Sequence, residues 1–170
     1  MNNNDILRRL RFAFDFSNQQ AIELFSLDPS SSTSMSQANF LKRLAKDDDD
    51  DFLACSDVEL CAFLDGLIVS KRGLRDDVAK DAKTEVKPDD FRMSKNDILK
   101  KLRIAMTFQE QQMLDTLEQG GTSMSKSELG ALFRNPKHKH FRACGNQVLR
   151  NFIKGLTAQL RGDTSLSEST

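Results

Sequence analysis

Apolar residues recur at helical spacing along most of the chain, and no alternating strand pattern stands out. The first segment shows this spacing at Ile6, Leu7, Leu10, Ala13 and Phe14. Similar patterns predict helices over about residues 17–25, 36–45, 56–68, 96–106, 109–118, 125–134 and 146–160. We therefore predict an all-α fold.

Polar residues mark the positions where several of these helices begin. Ser17, Ser56 and Ser125 each stand three residues before Gln or Glu, which is the spacing of a capping box. In the first helix we expect Asn4 or Asp5 to be the cap, because both side chains can accept a hydrogen bond from the first turn.

The helical pattern occurs twice in the chain. Residues 4–25 align with residues 96–117 at an offset of 92, with ten identities, and residues 47–67 align with residues 136–156 at an offset of 89. One repeat alone has about 65 residues, a length at which a single core is marginal. We therefore predict two tandem four-helix repeats that pack into one compact unit with pseudo-two-fold symmetry.

Charge and apolar content divide the chain into four parts. We expect a first helical repeat over residues 1–70, a charged linker over 71–94, a second helical repeat over 95–161 and a disordered tail over 162–170. No apolar run approaches the length of a membrane span, and the N-terminus lacks the apolar core of a signal peptide. We expect a cytoplasmic protein with no membrane contact.

The aligned repeats differ most in charge. Residues 47–66 carry eight acids and no Lys or Arg, whereas residues 136–155 carry five Lys or Arg and no acids. The predicted acidic pole consists of Asp47, Asp48, Asp49, Asp50, Asp51 and Asp57. The predicted basic pole, a candidate anion or partner site, consists of Arg134, Lys137, His138, Lys139, His140, Arg142 and Arg150.

Four segments resemble a known bacterial family. They are NDILRRLRFAFDF, FLACSDVELCAFLDGLIVSKRG, NDILKKLRIAM and ELGALFRNPKHKHFRACGNQVLRNFIKGL. Together they resemble the uncharacterised proteins of the YehS type, which consist of two tandem copies of one small helical domain. The resemblance implies a duplicated helical fold in a bacterial cytoplasmic protein with no established activity. Five consecutive aspartates depart from that family, which usually mixes Lys, Glu, Asp and Gly there.

Metal binding and catalysis find little support in the sequence. The aspartate run could bind Ca²⁺ or Mg²⁺, but it lacks the spacers and the glycine of a calcium loop. His138, His140 and Cys144 could bind zinc with Cys55 or an aspartate, but without the usual paired ligands. Cys144 with His140 is the nearest candidate for catalysis. We predict no cofactor, no metal and no enzyme activity, and we expect the cysteines to be small buried residues.

Two functions from different classes remain. The first is a protein-interaction module whose acidic and basic poles contact each other, a second copy or a protein partner. The second is binding of nucleic acid or a phosphate ligand through the basic pole, against which the scarcity of aromatic residues for stacking counts. A helix-turn-helix is a weaker possibility, since about eight residues separate the second and third helices instead of three or four.

Overall fold

Eight helices make up the regular structure of residues 1–74 and 89–162, which are the residues described by this computed structural model. They are α1 (Asn3–Ala13), α2 (Asn18–Leu24), α3 (Gln37–Leu44), α4 (Asp57–Arg72), α5 (Lys95–Met106), α6 (Glu110–Gln119), α7 (Lys126–Leu132) and α8 (Asn146–Arg161). No strand occurs within these two ranges. The all-α fold and the two four-helix repeats are therefore confirmed.

Several connections differ in length from the sequence expectation. Helix α4 continues to Arg72, past residue 70, and Gly73 follows it with φ 81°. Residues 75–88 of the expected linker and 163–170 of the expected tail lie outside the described residues. The connection from α2 to α3 covers residues 25–36, which is longer than expected and departs further from a helix-turn-helix. No helix of the described ranges is long and apolar enough to cross a membrane.

The predicted helix starts are correct at the three serines and wrong in the first helix. Ser17, Ser56 and Ser125 each form the expected capping box. Helix α1 is instead capped by Asn2, whose side chain accepts a hydrogen bond of 2.8 Å from the Asp5 N–H. The expected cap Asn4 lies inside the helix, where its side chain is buried.

The first helix of each repeat packs against the last helix of the other repeat. Helix α1 lies against α8, and α5 lies against α4. Since α1 aligns with α5 and α4 aligns with α8, the duplication exchanges the two contacts, as pseudo-two-fold symmetry requires. Within each repeat, α2 packs on α4 and α6 packs on α8.

Both repeats contribute to one continuous core. Leu64 of α4 and Leu99 of α5 are fully buried members of the same cluster. The Phe25 ring lies 6.1 Å from the Phe40 ring and 5.4 Å from the Phe63 ring. A shared core buries a larger fraction of apolar surface than either repeat could bury alone, which explains why the duplicated chain forms a single unit.

One ion pair crosses the interface between α4 and α5. Lys101 bonds to the carboxylate of Asp65, and both side chains are about three-quarters buried. Burial alone would lower the pKa of Lys101, but the hydrogen bond and charge of Asp65 outweigh it and raise that pKa. At the equivalent positions of the α1–α8 contact stand Arg9 and Lys154, both exposed, so the duplication has not kept this pair.

Glycine allows two helices in each repeat to approach closely. A Cβ atom on Gly66 would overlap the carbonyl of Leu24 in α2, and a Cβ atom on Gly155 would overlap the carbonyl of Thr116 in α6. The two glycines occupy the same position in the two repeats. Each contact therefore requires a residue without a side chain.

Replacing Gly155 by alanine is expected to lower the free energy of unfolding by about 3 kcal/mol, because α8 must move away from α6. Gly130→Ala is the matched control. An added Cβ there meets no atom within 4 Å, and alanine favours the helical backbone by up to about 1 kcal/mol. Urea unfolding followed by circular dichroism measures both variants. An unchanged midpoint for Gly155→Ala would contradict the close packing.

Candidate functional site

The two charged segments follow the same backbone path. We define the acidic loop as residues 45–56, between α3 and α4, and the basic loop as residues 133–145, between α7 and α8. The Asp51 N–H donates to the Asp49 carboxylate at 3.0 Å, and the His140 N–H donates to Nδ1 of His138 at the same distance. An imidazole thus replaces a carboxylate in the same turn. The two loops therefore differ in charge but share the same backbone conformation.

A buried asparagine holds the acidic loop against α1. The Asn4 side chain is 2 % exposed and donates to the carbonyl oxygens of Arg43 and Leu53, both at 2.9 Å. Its Oδ1 atom accepts a hydrogen bond from the Cys55 N–H, also at 2.9 Å. One side chain therefore satisfies backbone groups at both ends of the loop.

Asn96 makes the same three bonds in the second repeat. It donates to the carbonyl oxygens of Leu132 at 2.8 Å and Arg142 at 2.9 Å, and accepts from the Cys144 N–H at 2.8 Å. Sequence reasoning missed this role. The signal was the retention of Asn4 and Asn96 at the same position of both repeats, two residues after the actual caps Asn2 and Ser94.

Hydrogen bonds bring the two loops to the same end of the molecule. Asp57, at the start of α4, accepts from the Asn3 side chain at 2.7 Å and from the Met93 N–H at 3.1 Å. These bonds join the starts of α1, α4 and α5, and Asn96 joins the start of α5 to the segment that leads into α8. We call this end, with its acidic loop and basic loop, the dipolar end.

The residues of the predicted acidic pole divide into two groups. All five aspartates of the run are exposed. Asp47 accepts from the Asn2 side chain at 2.8 Å and lies 3.8 Å from Arg8, whereas Asp49 closes the loop turn. Asp57 is half-buried and accepts hydrogen bonds that hold the helix starts together, so it is not part of the exposed acidic surface. Within the described part of the chain, the carboxylates of Asp48, Asp50 and Asp51 make no such structural bond.

The predicted basic pole is also only partly assembled. Arg134 is half-buried at the base of the basic loop and donates to the His140 carbonyl at 3.0 Å. Arg142 lies 3.6 Å from Glu128, and Arg150, in α8, donates to Gln147. The exposed residues that stay together in the loop are Lys137, His138, Lys139 and His140. Among the described residues, no ion pair joins the acidic loop to the basic loop of the same chain.

The cysteines are poorly suited to nucleophilic catalysis. Burial raises the pKa of Cys55 to about 12 and the pKa of Cys144 to about 11. Burial, with the nearby Asp65 carboxylate, raises the pKa of Cys61 to about 11. These thiols stay protonated at neutral pH, and the thiolate is the reactive form. Within residues 1–74 and 89–162, no three His, Cys, Asp or Glu side chains lie together as metal ligands.

Comparisons with known proteins agree with the repeat structure. The model of a family described as "Protein of unknown function (DUF1456)" matches residues 3–73 and 95–162. The chain is similar to the "Uncharacterized protein YehS" of Escherichia coli (strain K12), with 36% identity over 159 residues. That similarity covers 94% of this chain and 96% of the other. No solved structure matches.

Replacing Asn96 by alanine is expected to loosen the basic loop without loosening the acidic loop. Two carbonyl groups and one N–H lose their partner, and a buried group left unsatisfied costs about 1–3 kcal/mol. Hydrogen exchange should show faster exchange at the Cys144 amide and through residues 133–145. The acidic loop, held by Asn4, is the internal control, and Asn4→Ala should give the reverse pattern. Unchanged exchange in both loops would contradict the anchoring role.

The three thiols are expected to react slowly with an aromatic disulfide reagent in the folded protein at pH 8. The raised pKa of Cys144 leaves so little thiolate that its rate should be at least about a hundredfold below that of the unfolded chain. The rate should increase as the pH rises toward about 11, and urea should expose all three thiols. Rapid reaction of the native protein at pH 8 would contradict these protonation states.

Proposed function

The chain belongs to the DUF1456 family of proteins of unknown function, and on that premise we propose that it is a non-enzymatic protein-interaction module of the cytoplasm. The expected resemblance to the YehS-type proteins is confirmed by the 36% identity. Three free cysteines, two of them buried, fit the reducing conditions of that compartment. Their raised pKa values support a role other than thiol catalysis.

The observation that carries the proposal is the dipolar end. Two exposed loops of opposite charge lie at the same end of the molecule, and an asparagine side chain fixes the backbone of each. Such a pattern steers a partner with complementary charges into one orientation. Exposed ion pairs contribute only about 0–1 kcal/mol each, so the binding should depend strongly on salt.

A protein partner suits this surface better than a nucleic acid. A nucleic acid attracted by Lys137 and Lys139 would also be exposed to the negative charge of the aspartates at the same end of the molecule. Fully exposed aromatic rings for base stacking are also few, since among the phenylalanines of the described residues only Phe12 is exposed and the others are buried or half-buried. Phe25, Phe40, Phe63 and Phe152 are fully buried, and the exposed Phe12 is covered by the Arg161 guanidinium at 4.2 Å.

Neutralising the acidic loop is expected to weaken the binding of protein partners. The variant D48N/D50N/D51N keeps Asp47 and Asp49, which support the loop. The control E110Q/D115N/E118Q removes the same number of charges from α6. Each of the three forms is immobilised and incubated with a cell extract of the source bacterium. The captured proteins are quantified by mass spectrometry. We expect specific captured proteins to fall at least about fivefold with the loop variant and with high salt, but not with the control.

The same proteins captured equally by all three forms would contradict the proposal. Fluorescence anisotropy with labelled duplex DNA, single-stranded DNA and RNA separates the alternative function. Tight binding of any of these that weakens steeply with salt would favour nucleic acid as the ligand of the basic loop.

A further inference from the structure

A groove opens at the dipolar end between the start of α5 and the basic loop. Its volume is about 630 Å³, within the range of ligand sites. Apolar side chains line it at Met93, Leu132, Phe133 and Phe141. The cations that line it are Arg92, Lys100 and Arg134. The one acid in the lining, Asp97, is engaged by the Ser94 N–H at 3.0 Å and the Ser94 hydroxyl at 2.7 Å. The groove therefore favours an anionic occupant.

The equivalent position in the first repeat is closed by its own side chains. The Arg8 guanidinium extends from α1 and donates to the carbonyl oxygens of Leu44, at the end of α3, and Ala45, at the start of the acidic loop. The Asn2 amide donates to the Asp47 carboxylate at 2.8 Å. Two contacts thus join helix and loop across the space that stays open in the second repeat.

Two differences between the repeats remove this closure, and a third adds positive charge. Lys100 replaces Arg8 and is exposed, with no bond to the basic loop among the described residues. Pro136 replaces Asp47 and offers no side-chain acceptor. Arg134 replaces Ala45 and adds a cation to the lining. The second repeat therefore has an open, positively charged groove at the position where side-chain contacts join helix and loop in the first repeat.

We propose that this groove binds the acidic loop of a second copy of the chain. Asp48, Asp50 and Asp51 are exposed, and their carboxylates are not used in supporting their own loop. Leu53, which follows the run, is 37 % exposed and offers an apolar side chain to the apolar lining. The occupant and the groove thus match in charge and in apolar character.

The position of both features at one end allows two such contacts at once. When two dipolar ends face each other across a two-fold axis, each acidic loop meets the partner's groove. The dimer is isologous, and it leaves no unmatched loop that could add further copies. This inference rests on the proposed interaction role and names the partner for it.

Charge exchange between the two surfaces tests the dimer. One variant, D48K/D50K/D51K, makes the loop basic, and the other, R92E/K100E, makes the groove acidic without touching Arg134, which supports the basic loop. K126E/K154E is the control for charge change elsewhere. Sedimentation velocity at low salt measures dimerisation over a concentration series, and circular dichroism checks folding.

We expect the wild type and the control to dimerise, and each variant alone to dimerise at least about tenfold more weakly. An equimolar mixture of the two variants should form a heterodimer. In it the basic loop of one variant meets the acidic groove of the other, and the second contact keeps its original charges. A monomeric wild type at all concentrations, or a mixture that stays monomeric, would overturn the inference. The broader proposal would stand in that case if loop-dependent capture of other proteins persisted, so the two failures are distinguishable.

Discussion

One asparagine side chain in each repeat, buried in the first and half-buried in the second, is the constraint on which the functional surface depends. Asn4 and Asn96 each bond to one carbonyl group in the helix before a charged loop and to one carbonyl group and one N–H within that loop. All three partners are backbone groups, so the anchoring does not depend on the loop's side chains. Each loop can therefore change its charge without losing its conformation.

The packing of the helices explains why two loops of opposite charge lie at the same end of the molecule. The first helix of each repeat packs against the last helix of the other, so the core is continuous. The starts of α1, α4, α5 and α8 consequently lie at one end of the molecule. Gly66 and Gly155 bring the second helix of each repeat against the last one. The charged loops consequently extend from helix starts that hydrogen bonds hold together, which lowers the cost of ordering them when a partner binds.

The duplicated positions have diverged in their bonding as well as in their charge. In the first repeat, Arg43 is almost buried and bonds to Glu59, whereas the equivalent position of the second repeat is Leu132. Arg8 closes the first groove, and Lys100 leaves the second one open. At this position the first repeat pairs its charged side chains internally, whereas the second repeat presents cations beside apolar surface. This difference gives the two halves complementary chemistry on a common scaffold.

The sequence by itself determined the helices, the duplication and the reversal of charge, because these depend on local spacing and on comparison of aligned positions. Ser17, Ser56 and Ser125 could be recognised as caps since both partners of a capping box lie within one turn. Asn4 was mistaken for a cap because its true partners, Arg43, Leu53 and Cys55, are distant in sequence and reach it only through folding. The groove could not be predicted from the sequence either, because it depends on the Lys100 side chain of α5 making no bond to the basic loop within the described residues. Only the tertiary structure decided which charges are paired, which are exposed and that both loops lie at one end.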